Sequence, residues 1–204
     1  MATDTRPLGR RERNKLDKLQ RITRAAAELF ADRGVDDVTT QEIADRADIG
    51  TGTLFLYART KGELLLLVQN SNYAAALEEG RADAAAAPDV LSGVVAVVRP
   101  VVECNRKQIG NGRTYLREIV FGDPEEPHHR EALNLTDQTE QLIGDIIAQG
   151  ARVPTHTART LAHVVSAIMF VNMAAALNAG KTVEEIVGEI TEQIRTILPS
   201  SQHP

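Results

Sequence analysis

Aromatic side chains are scarce in this sequence: there is no tryptophan, and three tyrosines and four phenylalanines make up only 3% of 204 residues. So few rings leave little surface on which a flat cation could stack. A single cysteine, Cys104, excludes an intramolecular disulfide and a multi-cysteine zinc site, and suits a reducing compartment. Alone, it reads as a small buried hydrophobe. No apolar run approaches the roughly 20 residues of a membrane span, and the N-terminus is charged rather than signal-like, so a cytoplasmic protein is expected. Enzyme signatures are missing too: no glycine-rich phosphate loop precedes a strand, and no Ser-His-Asp or paired-carboxylate arrangement stands out. His128 and His129 beside Glu125 and Glu126 do not make a metal site, because adjacent helical residues point about 100 degrees apart and Pro127 marks a loop. No metal, cofactor or catalytic group is expected.

Overall positive charge is lacking as well, at a net −5, which would argue against a polyanionic partner if it were evenly spread. It is not. The first 24 residues hold eight basic and three acidic side chains, residues 1–64 are net +1, and the remainder is net −6. The positive charge sits beside the most informative stretch of the chain.

That stretch runs from Thr39 to Lys61. Thr39 and Glu42 have capping-box spacing, and Ile43, Ala44 and Ala47 form a small apolar face, which predicts a short supporting helix. Asp48-Ile49-Gly50 supplies a turn with two residues tolerant of unusual backbone angles. A second short helix is predicted over Thr51–Tyr57, with Leu54 inward and Thr51, Gly52, Thr53, Leu56 and Tyr57 outward. Thr60 and Glu63 repeat the capping spacing and open a further helix at Lys61, whose cation at a helix start favours an anionic partner such as phosphate.

These residues resemble the DNA-binding domain of the TetR family of bacterial transcriptional regulators over residues 21–67. The resemblance is carried by Arg21-Ile22, Ala26 to Leu29-Phe30, Gly34, Ile43-Ala44, Gly52-Thr53-Leu54-Phe55-Leu56-Tyr57, Lys61 and Leu64. Departures fall at Asp48 and Gly50, where the family usually has Gly and Ser, at Phe55 for Tyr, at Ala58 for Phe and at Gly62 for Glu. The resemblance implies a helix-turn-helix that reads double-stranded DNA. Gln41, Thr51, Gly52, Thr53, Leu56 and Tyr57 are expected near base edges, and Thr39, Thr40, Tyr57 and Lys61 at phosphates.

The rest of the chain reads as all-α. A mobile basic arm is expected over 1–13, a helix-turn-helix domain over 14–60, and a helical ligand-binding and dimerisation domain over 61–204. The run Leu64–Val68 is apolar on too many sides for a free surface helix. Pro100 kinks an apolar helix over Val90–Arg106 and suggests a pocket wall, while Gly110-Asn111-Gly112 suggests a turn. Further helices are expected over 128–149, Thr157–Ala179 and Thr182–Leu198. The last two are expected to meet their copies in a second chain, as the resembled family does, through Ile186, Ile190, Ile194 and Ile197. Arg99, His163 and Asn172 are the polar groups expected to hold a small, largely apolar ligand. Together these features describe a dimeric regulator, most simply a repressor released from a palindromic operator by its ligand. The alternative is a helical small-molecule-binding or interaction protein that does not switch on DNA.

Overall fold

The computed structural model describes residues 9–199, and all regular structure among them is helical. The chain forms two compact units, residues 1–68 and 69–204. In the first, α1 (Arg10–Arg33), α2 (Thr40–Arg46) and α3 (Thr51–Leu54) pack around Ile22, Ala26, Phe30, Val38, Ile43, Ala44 and Leu54, all essentially without solvent exposure. Helix α4 (Lys61–Ala84) begins in this unit and ends in the second. The division after Val68 differs from the expected break at 60/61, because the first two turns of α4, with Leu64, Leu65, Leu66 and Val68 buried, belong to the N-terminal unit.

Two helix boundaries also differ from expectation. Of the arm expected over 1–13, residues 1–8 lie outside the described residues, but Arg10–Arg13 are helical, closed by Arg13 N–H donating to Gly9 O at 3.0 Å. Arg, Glu and Lys are good helix formers even without an apolar stripe, so the helix starts before its periodicity does. The second motif helix stops at Leu54 rather than Tyr57. Leu56 N–H donates to Thr53 O and Tyr57 N–H to Leu54 O, so the chain tightens into i→i−3 turns and closes on one isolated i→i−4 bond, from Ala58 N–H to Leu54 O, rather than continuing α3.

The second unit contains the rest of α4 with α5 (Val90–Arg106), α6 (Ile109–Phe121), α7 (Pro127–Ala151), α8 (Thr155–Ala174), a 3₁₀ turn (Ala176–Asn178) and α9 (Val183–Ile197). Helix α7 packs along α8, and α5 lies against α6, α7, α8 and α9. Gly110-Asn111-Gly112 lies in the first turns of α6, not in a turn of its own. Gln108 caps that helix, and Gly112 is required there because a Cβ would collide with the backbone oxygen of Asn105.

Helix α5 does line a groove, but with its first turn at Val90 and Gly93 rather than at Pro100. Beside Pro100 it is met closely by α4 at Gly80, where a Cβ would stand 2.9 Å from Val97 Cα, 3.0 Å from Ala96 O and 3.2 Å from Pro100 Cγ. Only glycine lets the two backbones approach this closely.

The isoleucine stripe of α9 is likewise not free to meet a second chain. Ile186, Ile190 and Ile194 are fully buried in this chain's own core, and Ile197 packs half-buried against it. A stripe facing a helix's own bundle has the same 3.6-residue period as one facing a partner, so periodicity could not separate the two. In α8 and the turn after it, the large apolar residues that remain exposed are Val164, Val171 and Leu177.

Buried polar groups tie the bundle together. Arg106 Nη2 donates to the carbonyls of Asn178, Ala179 and Lys181, pinning the α8–α9 connection to the end of α5. Asn178 Nδ2 donates to Asn172 O at 3.0 Å, which satisfies a carbonyl left free at the end of α8.

Candidate nucleic-acid interface

The N-terminal unit builds its exposed face from a few well-placed hydrogen bonds. Thr39 caps α2 by accepting from Glu42 N–H at 3.2 Å, and Glu42 returns the contact by accepting from Thr39 N–H at 2.8 Å, so the expected capping box forms in full. Arg33 Nη2 adds an ion pair to Glu42 at 2.8 Å, joining the end of α1 to the start of α2. Arg46 and Glu28 make a second tie at 2.9 Å. The Thr39 backbone N–H, with the Arg33 guanidinium, holds the Glu42 carboxyl at about 2, well below the ordinary carboxylate range.

Between α2 and α3 the chain reverses through Asp48, whose φ of 53° lies in the left-handed region. Of the two residues expected to tolerate unusual angles, only this one uses the tolerance, since Gly50 is extended with φ −72°. Ile49 N–H donates to Ala44 O at 3.0 Å. Arg21 Nη1 donates to Asp48 O at 3.3 Å and lies 3.4 Å from the Asp48 carboxylate, so α1 braces the turn from behind.

Gln41 on α2 and Thr51 on α3 are brought into direct contact, with Thr51 Oγ1 donating to Gln41 Oε1 at 2.6 Å. Gln41 Nε2 donates in turn to Asp45 Oδ1 at 2.7 Å. Thr53 is half-buried, Gly52 is exposed, and Leu56 is 84% exposed, the most open large apolar side chain of the unit. No atom lies within 4 Å of where a Cβ on Gly52 would stand. Tyr57 OH donates to Lys15 O at 3.4 Å, steadying the turn after α3 against α1. Lys61 Nζ donates to Asp36 O at 3.0 Å, an intramolecular partner for the cation at the start of α4 that uses one of its three donors. Thr40 is half-buried beside the cap, whereas the Thr39 hydroxyl is taken up by Glu42.

The expected capping box of α4 forms by half: Glu63 N–H donates to Thr60 Oγ1 at 3.1 Å, but the Glu63 carboxylate accepts from Arg59 N–H instead of Thr60. Ala58, standing where a larger ring is usual, is buried. Asp45 and the Arg21–Asp48 brace are not among the contacts expected from the sequence. The first was accessible, since a Gln–Asp pair at i, i+4 is a known helix-surface hydrogen bond. The second joins residues 27 apart and leaves no periodic signal.

In the C-terminal unit the three side chains expected at a ligand site are not brought together. Arg99 is exposed and pairs with Glu103 at 3.5 Å one turn on, and His163, 76% exposed, lies 3.1 Å from Glu140. Asn172 is buried, but donates to Ile168 O and Gln193 Oε1 to fix α8 against α9. Their helix faces point different ways, which a residue-type argument did not consider.

Two features there were not foreseen. The first is a polar cluster buried where α4, α6 and α7 meet. Tyr115 OH donates to Asn70 Oδ1 at 2.9 Å, and Asn70 Nδ2 donates to His128 O at 2.8 Å. The Thr139 hydroxyl already donates to Leu135 O, so Tyr73 OH is the donor in its 3.1 Å bond to Thr139 Oγ1. Burial pushes the Tyr73 hydroxyl up to about 12 and raises that of Tyr115, as it does the Cys104 thiol. The second is an open groove of about 790 Å³ lined by the end of α4 (Arg81, Ala84), the loop to Pro88, the start of α5 (Val90) and the last turns of α7 (Leu142, Ile146).

Residues 22–68 match the family described as bacterial regulatory proteins, tetR family. The chain is 26% identical over 190 residues to the HTH-type transcriptional repressor KstR of Mycobacterium tuberculosis, covering 89% of this chain and 81% of that one. Its fold is shared by a TetR transcriptional regulator from Rhodococcus sp. RHA1, at a TM-score of 0.70 and 17% identity, over 92% of this chain and 98% of that one. It is shared equally by Thermus thermophilus FadR, a TetR-family repressor solved with lauroyl-CoA, at a TM-score of 0.70 and 22% identity, over 91% and 98% of the two chains.

The capping box has a measurable signature. A carboxyl held below its ordinary value contributes stability that is present above the ordinary pKa of 4.5 and is lost as pH falls toward about 2. Glu42→Gln should therefore flatten the loss of thermal stability between those two pH values relative to the parent. Parallel melting-temperature profiles for the two proteins would remove Glu42 from this role.

Proposed function

With residues 22–68 belonging to the tetR family of bacterial regulatory proteins, we propose that the chain is a homodimeric transcriptional repressor, released from a near-palindromic operator by a small, largely apolar ligand. The observation that carries the DNA reading is the open face around α3. Gly52 of α3 and Leu56 in the turn after it are open to solvent, while Leu54 between them is fully buried. In this reading Gln41, Thr51, Gly52, Thr53, Leu56 and Tyr57 lie at base edges, and Thr39, Thr40, Tyr57 and Lys61 at phosphates. Repression is supported by the likeness to KstR, itself a repressor.

Dimerisation is reassigned from the buried isoleucines to the exposed face of α8. Val171 at 61% and Leu177 at 81% exposure, with Val164, are apolar surface of the kind that protein interfaces cover. A twofold pair would present two recognition helices about 34 Å apart to successive major grooves.

The ligand is assigned to the groove at the end of α4. Its volume, about 790 Å³, lies within the roughly 300–1,000 Å³ of small-molecule sites, and its wall sets Ala84, Pro88, Val90, Leu142 and Ile146, which suit an alkyl chain, beside Arg81, Asp89, Asp145 and Gln149, which suit a polar head. The lauroyl-CoA bound by Thermus thermophilus FadR supports that ligand class. Helix α4 lines the groove with its last turn and starts in the DNA-binding unit, so a ligand favouring one position of α4 would bias the other end. Coupling of this kind is typically about 1–3 kcal/mol.

Four measurements test this reading, once an operator has been selected from random duplexes. Gly52→Ala should leave the melting temperature unchanged or raise it, since the added methyl meets nothing, while weakening operator binding about tenfold or more by blocking close approach. Lys61→Ala should weaken binding to all duplexes and lower the salt slope by about one. Unchanged affinity in both variants would defeat the DNA reading.

Val171→Glu should give monomers that have lost specific operator binding. A dimer at micromolar concentration would return the interface to another face. Finally, lauroyl-CoA or a free fatty acid of similar length should raise the melting temperature and lower operator affinity by the reciprocal factor. A stabilising ligand that leaves operator affinity untouched would mean a ligand-binding protein that does not switch on DNA.

A further inference from the structure

Resting on the DNA-binding reading above, we infer that Asp45, although it touches no base itself, fixes which base pair Gln41 reads. A glutamine amide offers an oxygen with two acceptor positions and a nitrogen with two donor hydrogens, and rotation by 180° exchanges them. Gln41 is exposed on α2 beside the recognition helix, and each end of its amide already holds one partner, Thr51 Oγ1 at 2.6 Å and Asp45 Oδ1 at 2.7 Å. The two partners are not equivalent. A threonine hydroxyl can donate or accept, so Thr51 suits either rotation of the amide. A carboxylate only accepts, so Asp45 must face the NH₂ group. Asp45 alone therefore sets the orientation.

What remains free on Gln41 is one acceptor position on Oε1 and one hydrogen on Nε2. That donor–acceptor edge matches adenine in the major groove, where Oε1 accepts from N6–H and Nε2 donates to N7. Guanine presents acceptors at both O6 and N7 and would set its O6 against Oε1. Donation to a charged carboxylate also raises electron density on Oε1, which strengthens it as an acceptor for the adenine amino group. An acidic side chain this close to DNA is otherwise unfavourable beside phosphates, so its presence at the foot of Gln41 is accounted for by orientation.

Asp45 is thus a positioning residue for sequence discrimination. Asparagine at this place could offer Gln41 either a donor or an acceptor, so both rotations of the amide would become available and the adenine preference would relax. Glutamate would keep an acceptor-only partner within one helical turn.

The test is selection of duplexes from a random pool by the full-length chain, followed by binding titrations at single-base variants of the selected site. The parent should prefer adenine about tenfold or more at one position of each half-site, the discrimination expected of one bidentate pair. Gln41→Ala should abolish that preference. Asp45→Asn should reduce it to within about threefold at that position alone, with other positions and the melting temperature unchanged, Asp45→Glu should retain it, and Asp45→Asn combined with Gln41→Ala should behave as Gln41→Ala. Full adenine preference in Asp45→Asn, alongside its loss in Gln41→Ala, would overturn the positioning role while leaving the DNA reading intact. A Gln41→Ala variant with unchanged discrimination at every position would overturn it as well. Failure of the parent to select any sequence would instead bring down the DNA reading itself, and the inference with it.

Discussion

The N-terminal unit depends on one backbone reversal, at Asp48. A non-glycine residue in left-handed geometry carries strain of order 1 kcal/mol, which asparagine and aspartate tolerate better than most because their short side chains bond locally. Here the compensation comes from outside the turn. Arg21 reaches from α1 to the Asp48 carbonyl and carboxylate, and Ala44 receives the Ile49 amide. The angle between α2 and α3 follows from this reversal. On that angle rest the contact between Gln41 and Thr51 and the outward aim of Leu56. Were the turn relaxed, the exposed face would lose its geometry while its buried residues could still pack.

The C-terminal unit solves a different problem. Its helices are rich in alanine, valine and isoleucine and poor in rings, so shape alone gives few distinctive interlocking contacts. Polar groups supply the specificity. Arg106 gathers three carbonyls from the α8–α9 connection, and Asn172 and Asn178 complete that corner. At the other side Asn70 and Tyr115 bind α4 to α6 and α7. Each is a buried group whose removal leaves a partner unsatisfied, at roughly 1–3 kcal/mol apiece.

How much of this was legible in the sequence varied with the range of the interaction. Thr39 and Glu42 announced the cap of α2 because both partners lie within one turn. The helical character of the whole chain was readable from period alone. The destination of an apolar stripe was not: Ile186, Ile190 and Ile194 have the pattern of an interface and the location of a core. Arg99, His163 and Asn172 were chosen by chemical type, and three-dimensional placement separated them. In the N-terminal unit, the exposure of Gly52 and Leu56 was readable from the motif, but the brace at Arg21 and the partner at Asp45 depend on contacts that spacing only hints at.

The close seat of Gly80 against Pro100 bears on how α4 and α5 are held together. With Val97 Cα 2.9 Å and Ala96 O 3.0 Å from where a Cβ would stand, the two helices meet backbone to backbone at this point. Their separation there is set by main-chain atoms, which cannot change rotamer, so a larger residue at position 80 would have to part the helices rather than be absorbed by its neighbours.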